Sequence, residues 1–127
     1  MWYADIMSNV HVALDLDRTL AFYEGGGPIG KVVPDMINNI NTWLNKGYKI
    51  SIFTARLSRF NKDGTRRFSQ DIERNAQTIR KLLNDNGLPP FEITSDKRPY
   101  FTHFVDDKAV AVEPNQGNIL FDLSRQL

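Results

Sequence analysis

The sequence predicts an α/β domain with a mostly parallel central sheet covered on both faces, a three-layer arrangement. Three observations carry this. Short apolar runs rich in β-branched residues alternate along the chain with segments of helical period. Strands separated by helices need crossover connections, which make neighbouring strands parallel and bury both faces of the sheet. The chain has 127 residues, enough for one core, and no repeat, low-complexity stretch or linker divides it. Residues 1–127 therefore read as a single domain. Residues 1–8 form a short N-terminal extension in this reading, with Met7 as an alternative start.

The organising stretch is 10–20, VHVALDLDRTL. Val10, Val12 and Leu14 mark a buried strand, and Asp15 and Asp17 arrive where it should end. Aspartate is a poor strand former and costly to bury without a partner. Residues 21–33 carry Gly25, Gly26, Gly27, Pro28 and Gly30, which reads as turns or a small flap beside the acids. Pro34 and Asp35 open a helix with Ile37, Ile40 and Leu44 on one face, Trp43 against the sheet and Gly47 as its stop. Residues 48–53 are a second strand, followed by Thr54, Ala55 and Arg56. The loop 57–68 is basic, with Arg59, Lys62, Arg66 and Arg67, and is read as an arm for an anionic substrate. Ser69 is expected to cap a second helix whose apolar face is Ile72, Ala76, Ile79 and Leu83, ended by Asn86, Gly87 and two prolines. Residues 91–94 and 102–105 are a third and fourth strand, 109–112 a fifth, and 118–126 a closing helix.

Composition narrows the function. Sixteen Lys and Arg against fifteen Asp and Glu leave a formal charge of +1, which opposes an overall nucleic-acid-binding charge but not a local basic patch. With no cysteine, disulfides, thiolate catalysis and zinc–cysteine sites are excluded. No apolar run reaches membrane-spanning length. The start, MWYADIMSN, lacks the basic region and apolar run of a secretory signal. The expected location is the cytoplasm, with no membrane partner.

Strand ends, or loops just before them, carry Asp15 and Asp17, then Thr54, then Lys97, then Asp106 and Asp107. Four clustered acids repel one another unless a cation neutralises them. All-oxygen donors of this kind suit Mg²⁺, which takes carboxylates, waters and substrate phosphate. A hydroxyl and an ammonium in the same cleft suit a phosphoryl group, whose transfer is largely positioning and charge stabilisation.

The motifs DLDRTL, SIFTAR, SDKRP and HFVDDKA, in this order, resemble those of the haloacid dehalogenase (HAD) superfamily of phosphotransferases. The resemblance spans about residues 10–112 and implies a Rossmann-like HAD fold. It implies Asp15 as the nucleophile that forms an aspartyl-phosphate, and Asp17 as general acid and then base. Thr54 would bond a phosphoryl oxygen, and Lys97 would neutralise the transferred group. Asp106 and Asp107 would hold Mg²⁺ with Asp15 and the Asp17 backbone carbonyl. The family's usual glycine between the second Asp and Thr is Arg18 here. Its lysine often stands directly before proline, where this chain has Arg98, the fallback for Lys97. The gaps between motifs are too short for a cap domain, so the chain resembles a capless member.

An open cleft implies a macromolecular substrate or a partner subunit, such as a second copy, that closes the site. Arg56, Arg18 and Arg98 are the candidate substrate-binding cations, and the basic loop and Arg56 fit a nucleotide or a nucleic-acid end phosphate. A sugar phosphate is the alternative substrate, and a non-catalytic HAD-fold binding protein the alternative role. A response-regulator receiver is opposed by motif order, because an acid pair follows Lys97. Phe22, Tyr23, Phe60 and Phe68 are read first as packing residues and second as base-stacking ones. His103 is read as a hydrogen-bonding residue, not a catalytic one.

Overall fold

The structure, a computed structural model, describes residues 9–120. Four short strands form one all-parallel sheet: β1 (His11–Asp15), β2 (Lys49–Phe53), β3 (Glu92–Thr94) and β4 (His103–Val105). Two helices are the crossovers, α1 (Pro34–Asn45) between β1 and β2 and α2 (Ser69–Asp85) between β2 and β3. The sheet order is β3-β2-β1-β4. The chain thus moves outward from β1 to β3 and then returns to the other side of β1. Its order reverses between β1 and β4, which is where open α/β sheets form their ligand crevice.

Side chains alternate across a strand, and the register sorts them. Val12, Leu14, Ile50 and Ile52 share one face and one core with Ile40 and Trp43 of α1 and Ile79 and Leu83 of α2. The opposite face carries Ala13, Asp15, Ser51, Phe53 and Phe104. Among the described residues it is met by the loop between β3 and β4, whose Phe101 ring packs edge-on against Phe53 and Phe104.

The helix termini follow local chemistry. Pro34 sits in the first turn of α1, where its missing N–H is no loss. Gly47, at φ +80°, takes the left-handed turn that ends it, and Gly87, at φ +68°, does the same after α2. Ser69 does not cap α2. It lies in the first turn, Phe68 holds the cap position, and no side chain bonds there.

Two expectations near the C-terminus change. Residues 109–112 are exposed and join no sheet. Their alternation finds a partner only locally, as Val112 bridges antiparallel to Ile119 around a turn. Residues 118–120 are therefore not helical, and the remainder of the expected closing helix, like the expected extension 1–8, lies outside the described residues. Among the described residues no helix is long and apolar enough to cross a membrane.

Ile52 is fully buried at the centre of the core. Ile52→Ala is expected to lower unfolding free energy by about 2–5 kcal/mol in urea titrations. Val112→Ala, at a side chain 53% exposed, should stay within about 0.5 kcal/mol. Equal costs would refute this placement of the core.

Candidate active site

Because every strand runs the same way, their C-terminal ends share one edge. Asp15 ends β1 and stands opposite Phe53, the last residue of β2, which in turn pairs with Thr94 at the end of β3. Leu14 pairs with Val105, so Asp106 and Asp107 leave β4 beside Asp15. The sheet reversal between β1 and β4 is thus flanked by carboxylates on both sides.

Asp15 is half-buried, and its Oδ1 accepts the Leu16 N–H at 2.9 Å. Burial pushes its carboxyl up to about 6, against the help of that hydrogen bond, and the charges of Asp106, Asp107 and Asp17 push the same way. The structure therefore brings Asp17, Asp106 and Asp107 within electrostatic reach of Asp15.

Asp17 is engaged differently. Arg56 donates from Nε to its Oδ2 at 2.8 Å and from Nη2 to its Oδ1 at 2.9 Å, a two-pronged pair. The same Nη2 reaches the Gly27 carbonyl at 3.2 Å, and the guanidinium lies 5.3 Å from the Tyr23 ring centroid. Arg56 thus ties the flap 21–33 to the acid. That the flap meets the site through Tyr23 and Gly27 had no separate signal in the sequence beyond its glycine density.

Thr54 is buried next to this pair. Its N–H donates to the Thr94 carbonyl at 2.9 Å, and its Oγ1 accepts the Arg56 N–H at 3.1 Å. That bond uses an oxygen lone pair and not the hydroxyl proton, which stays available to an acceptor. Lys97 holds its ammonium over the Phe104 ring, 5.2 Å from the centroid. Phe104 pairs with Ala13, so this cation waits on the same sheet face as Asp15, two residues before it. Arg98 turns away, toward Glu92 and Asp96 at 3.5 Å each. Arg18 is exposed, at φ +67°, the left-handed region that favours glycine. His103 Nδ1 shares a hydrogen bond with Thr102 Oγ1 at 2.8 Å.

The basic loop is a built hairpin and not a loose arm. Phe60 bridges Arg66. Arg67 donates from Nη1 to the carbonyls of Ala55, Arg56 and Ser58 at 2.9, 2.7 and 3.2 Å. Arg67 is spent on structure, while Arg59, Lys62 and Arg66 remain exposed.

The donor set fits a hard divalent cation in its chemistry. Asp15 is a half-buried carboxylate with three other carboxylates acting on it, and Mg²⁺ needs just one or two carboxylates besides waters and phosphate. The fit is not a closed cage: among the described residues no three acidic or imidazole groups are arranged to hold a metal by themselves. Asp17 faces Arg56, and Asp106 Oδ1 closes a turn by accepting the N–H groups of Lys108 and Ala109 at 2.6 Å. No family model, curated protein or solved structure matches the chain.

The raised Asp15 value fixes a sign in the metal-free protein. A carboxyl that holds its proton more tightly when folded adds stability below its unfolded value of 3.8 and loses it as pH rises through about 6. Asp15→Asn removes that ionisation. In EDTA, its urea midpoint should exceed the wild-type midpoint at pH 8, and the gap should close on acidification to pH 4. A gap independent of pH would show that the Asp15 charge is not opposed by its surroundings.

Proposed function

We propose that the chain is a Mg²⁺-dependent phosphomonoesterase of the HAD type, acting on nucleotide or polynucleotide end phosphates. The observation that carries this reading is Asp15: a half-buried carboxylate at the sheet reversal, with three other carboxylates acting on it. A purely structural acid would be paired at such a place. The motif order and the short gaps between motifs support a capless HAD assignment, and the all-parallel sheet agrees with it at the level of fold class. Both crossover helices lie against one face of that sheet, so among the described residues they supply one helical layer and not the two that were expected.

In this reading Asp15 and Asp106, with Asp107 and the Asp17 carbonyl at hand, would hold the metal, which supplies charge neutralisation for phosphate and nucleophile. The Asp15 carboxylate attacks phosphorus, and the bond from phosphorus to the leaving oxygen breaks. Asp17 gives that oxygen its proton. Water then attacks phosphorus, Asp17 takes a proton from it, and the Asp15 acyl phosphate is cleaved to free Asp15 and phosphate. Arg56 occupies both Asp17 oxygens, so the proton steps require that pair to open. The guanidinium then faces the phosphate that its planar fork suits. Thr54 donates its hydroxyl proton to a phosphoryl oxygen, and Lys97 leaves the Phe104 ring to meet the transferred group.

The second reading, a non-catalytic HAD-fold binding protein, is favoured by the Asp17–Arg56 pair and by the open arrangement of the acids. One experiment separates the two. Phosphate release is measured with and without Mg²⁺ on an aryl phosphate, nucleoside monophosphates, sugar phosphates and end-phosphorylated oligonucleotides. The wild type should release phosphate only with Mg²⁺. Asp15→Asn should lose at least ~10³-fold in rate, and Asp17→Asn about 10²–10⁴-fold. A folded wild type that releases nothing and shows no Mg²⁺-dependent rise in melting temperature overturns the enzyme reading. Best turnover on sugar phosphates would overturn the substrate class alone.

A further inference from the structure

A second concavity opens on the same sheet edge, away from the acids. It is a cavity of about 460 Å³ between the loop that follows β2 and the end of β3. Its size lies in the range of small-molecule sites. Its lining mixes apolar side chains, Leu57, Phe60 and Ile93, with polar ones, among them Arg59, Ser95 and Asp96. We propose that this cavity binds the nucleoside part of a phosphorylated nucleoside whose phosphate lies at Asp15. The inference rests on the phosphomonoesterase reading for the placement of the phosphate, and it deepens that reading by giving the leaving group a site.

Position is the first argument. The three strand ends Asp15, Thr54 and Thr94 follow one another across the sheet, linked by the Asp15–Phe53 and Phe53–Thr94 pairings and the Thr54 N–H bond to Thr94. Two interstrand spacings separate Asp15 from the cavity floor, about 10 Å. A mononucleotide spans that distance between its phosphate and the far edge of its base. Thr54 stands midway, where the ester oxygen would pass.

Wall chemistry is the second argument. A nucleobase has two apolar faces and a rim of donors and acceptors. Leu57, Phe60 and Ile93 offer a surface for a face, and the Ser95 hydroxyl, the Asp96 carboxylate and the Arg59 guanidinium offer partners for the rim. A sugar phosphate has no extended apolar face to set against Leu57, Phe60 and Ile93. The third argument is pre-formation. Phe60 is 53% exposed, yet it is not on a loose loop. Its bridge to Arg66, its N–H bond to Ser58 Oγ at 3.2 Å and the Arg67 clamp on three carbonyls fix the hairpin that carries it. An aromatic ring held in water on an ordered hairpin at the mouth of a cavity is arranged as base-stacking platforms are.

The test has two arms, so that this inference and the phosphatase reading fail separately. In the first, unphosphorylated adenosine and thymidine are titrated without Mg²⁺ into full-length Asp15→Asn protein, followed by amide NMR. Shifts at 57–60 and 93–96 are expected, lost in Phe60→Ser and restored in Phe60→Tyr. No shifts at millimolar nucleoside, or shifts confined elsewhere, overturn the site. In the second arm, kcat/KM is compared for nucleoside monophosphates, 3′-phosphorylated oligonucleotides, glucose 6-phosphate and glycerol phosphate. Phe60→Ser in the otherwise native chain should lower the nucleotide to glycerol phosphate ratio about 10-fold, mainly through KM. An unchanged ratio overturns the proposal. If neither chain releases phosphate but nucleosides still shift the cavity amides, the enzyme reading falls and the nucleoside site stands. A larger loss for the oligonucleotide than for the mononucleotide would identify a polynucleotide end as the source.

Discussion

The half-buried carboxyl of Asp15, set among other carboxylates, is the constraint around which the candidate site is arranged. Three features create it. A parallel sheet puts Asp15, Asp106 and Asp107 at one edge, β1 lies between β2 and β4, and the end of β1 is half-buried. Each of these would be harmless alone. Together they leave a carboxyl whose proton is held up to about 6, first by burial and then by its acidic neighbours. Arg56 pairs with Asp17, and the Lys97 ammonium lies over the Phe104 ring. Neither cation is among the groups that set the Asp15 proton affinity, which is governed by burial, the Leu16 N–H and the three acidic neighbours.

The second sheet face explains how the loop carrying Lys97 is held. Ser51 is buried there, and its hydroxyl is satisfied by donating to Glu92 Oε1 at 2.9 Å while sharing a bond with His11 Nε2 at 2.7 Å. Since the Ser51 proton goes to Glu92, the proton between His11 and Ser51 belongs to the imidazole. Tyr100 donates to the same carboxylate, at 2.7 and 2.8 Å to its two oxygens. That bond, with the ring contacts of Tyr100 and Phe101 on His11, fastens the β3–β4 loop across the sheet. Lys97 and the entry to β4 are positioned by this network, far from the chemistry they would serve.

What the sequence disclosed divides along the range of the interactions. The strands at 10–15 and 48–53 and both helices were legible because apolar period is a local signal, and the core realises it through Val12, Leu14, Ile50 and Ile52 against Ile40, Ile79 and Leu83. The arrival of Asp15, Asp106 and Asp107 at one sheet edge was legible because parallel strands must share an edge. Pairings between distant side chains were not. Arg56 is 39 residues from Asp17, and nothing in FTAR states whether its guanidinium turns to a ligand or to an acid. The expected strand at 109–112 failed for a related reason: alternation describes a strand, but a strand also needs a neighbour, and only Ile119 was there. Ser69 failed as a cap because the helix begins one residue early, and a hydroxyl inside the first turn no longer faces the free N–H groups.

The glycine-rich flap shows how little freedom composition implies once the chain is folded. Ala21 bridges Val32, Phe22 donates to the Lys31 carbonyl at 2.8 Å, and Gly30 donates back to Phe22 at 3.0 Å. A β-carbon at Gly30 would overlap the Phe22 carbonyl oxygen, so the narrow ladder itself demands glycine there. At the tip, Gly26 donates to the Tyr23 hydroxyl at 2.7 Å, and Arg56 holds both the Tyr23 ring and the Gly27 carbonyl. Arg56 is consequently shared between the flap and Asp17. Any ligand that draws the guanidinium from Asp17 also draws it from Gly27 and Tyr23, so freeing the acid and loosening the flap are one event and not two.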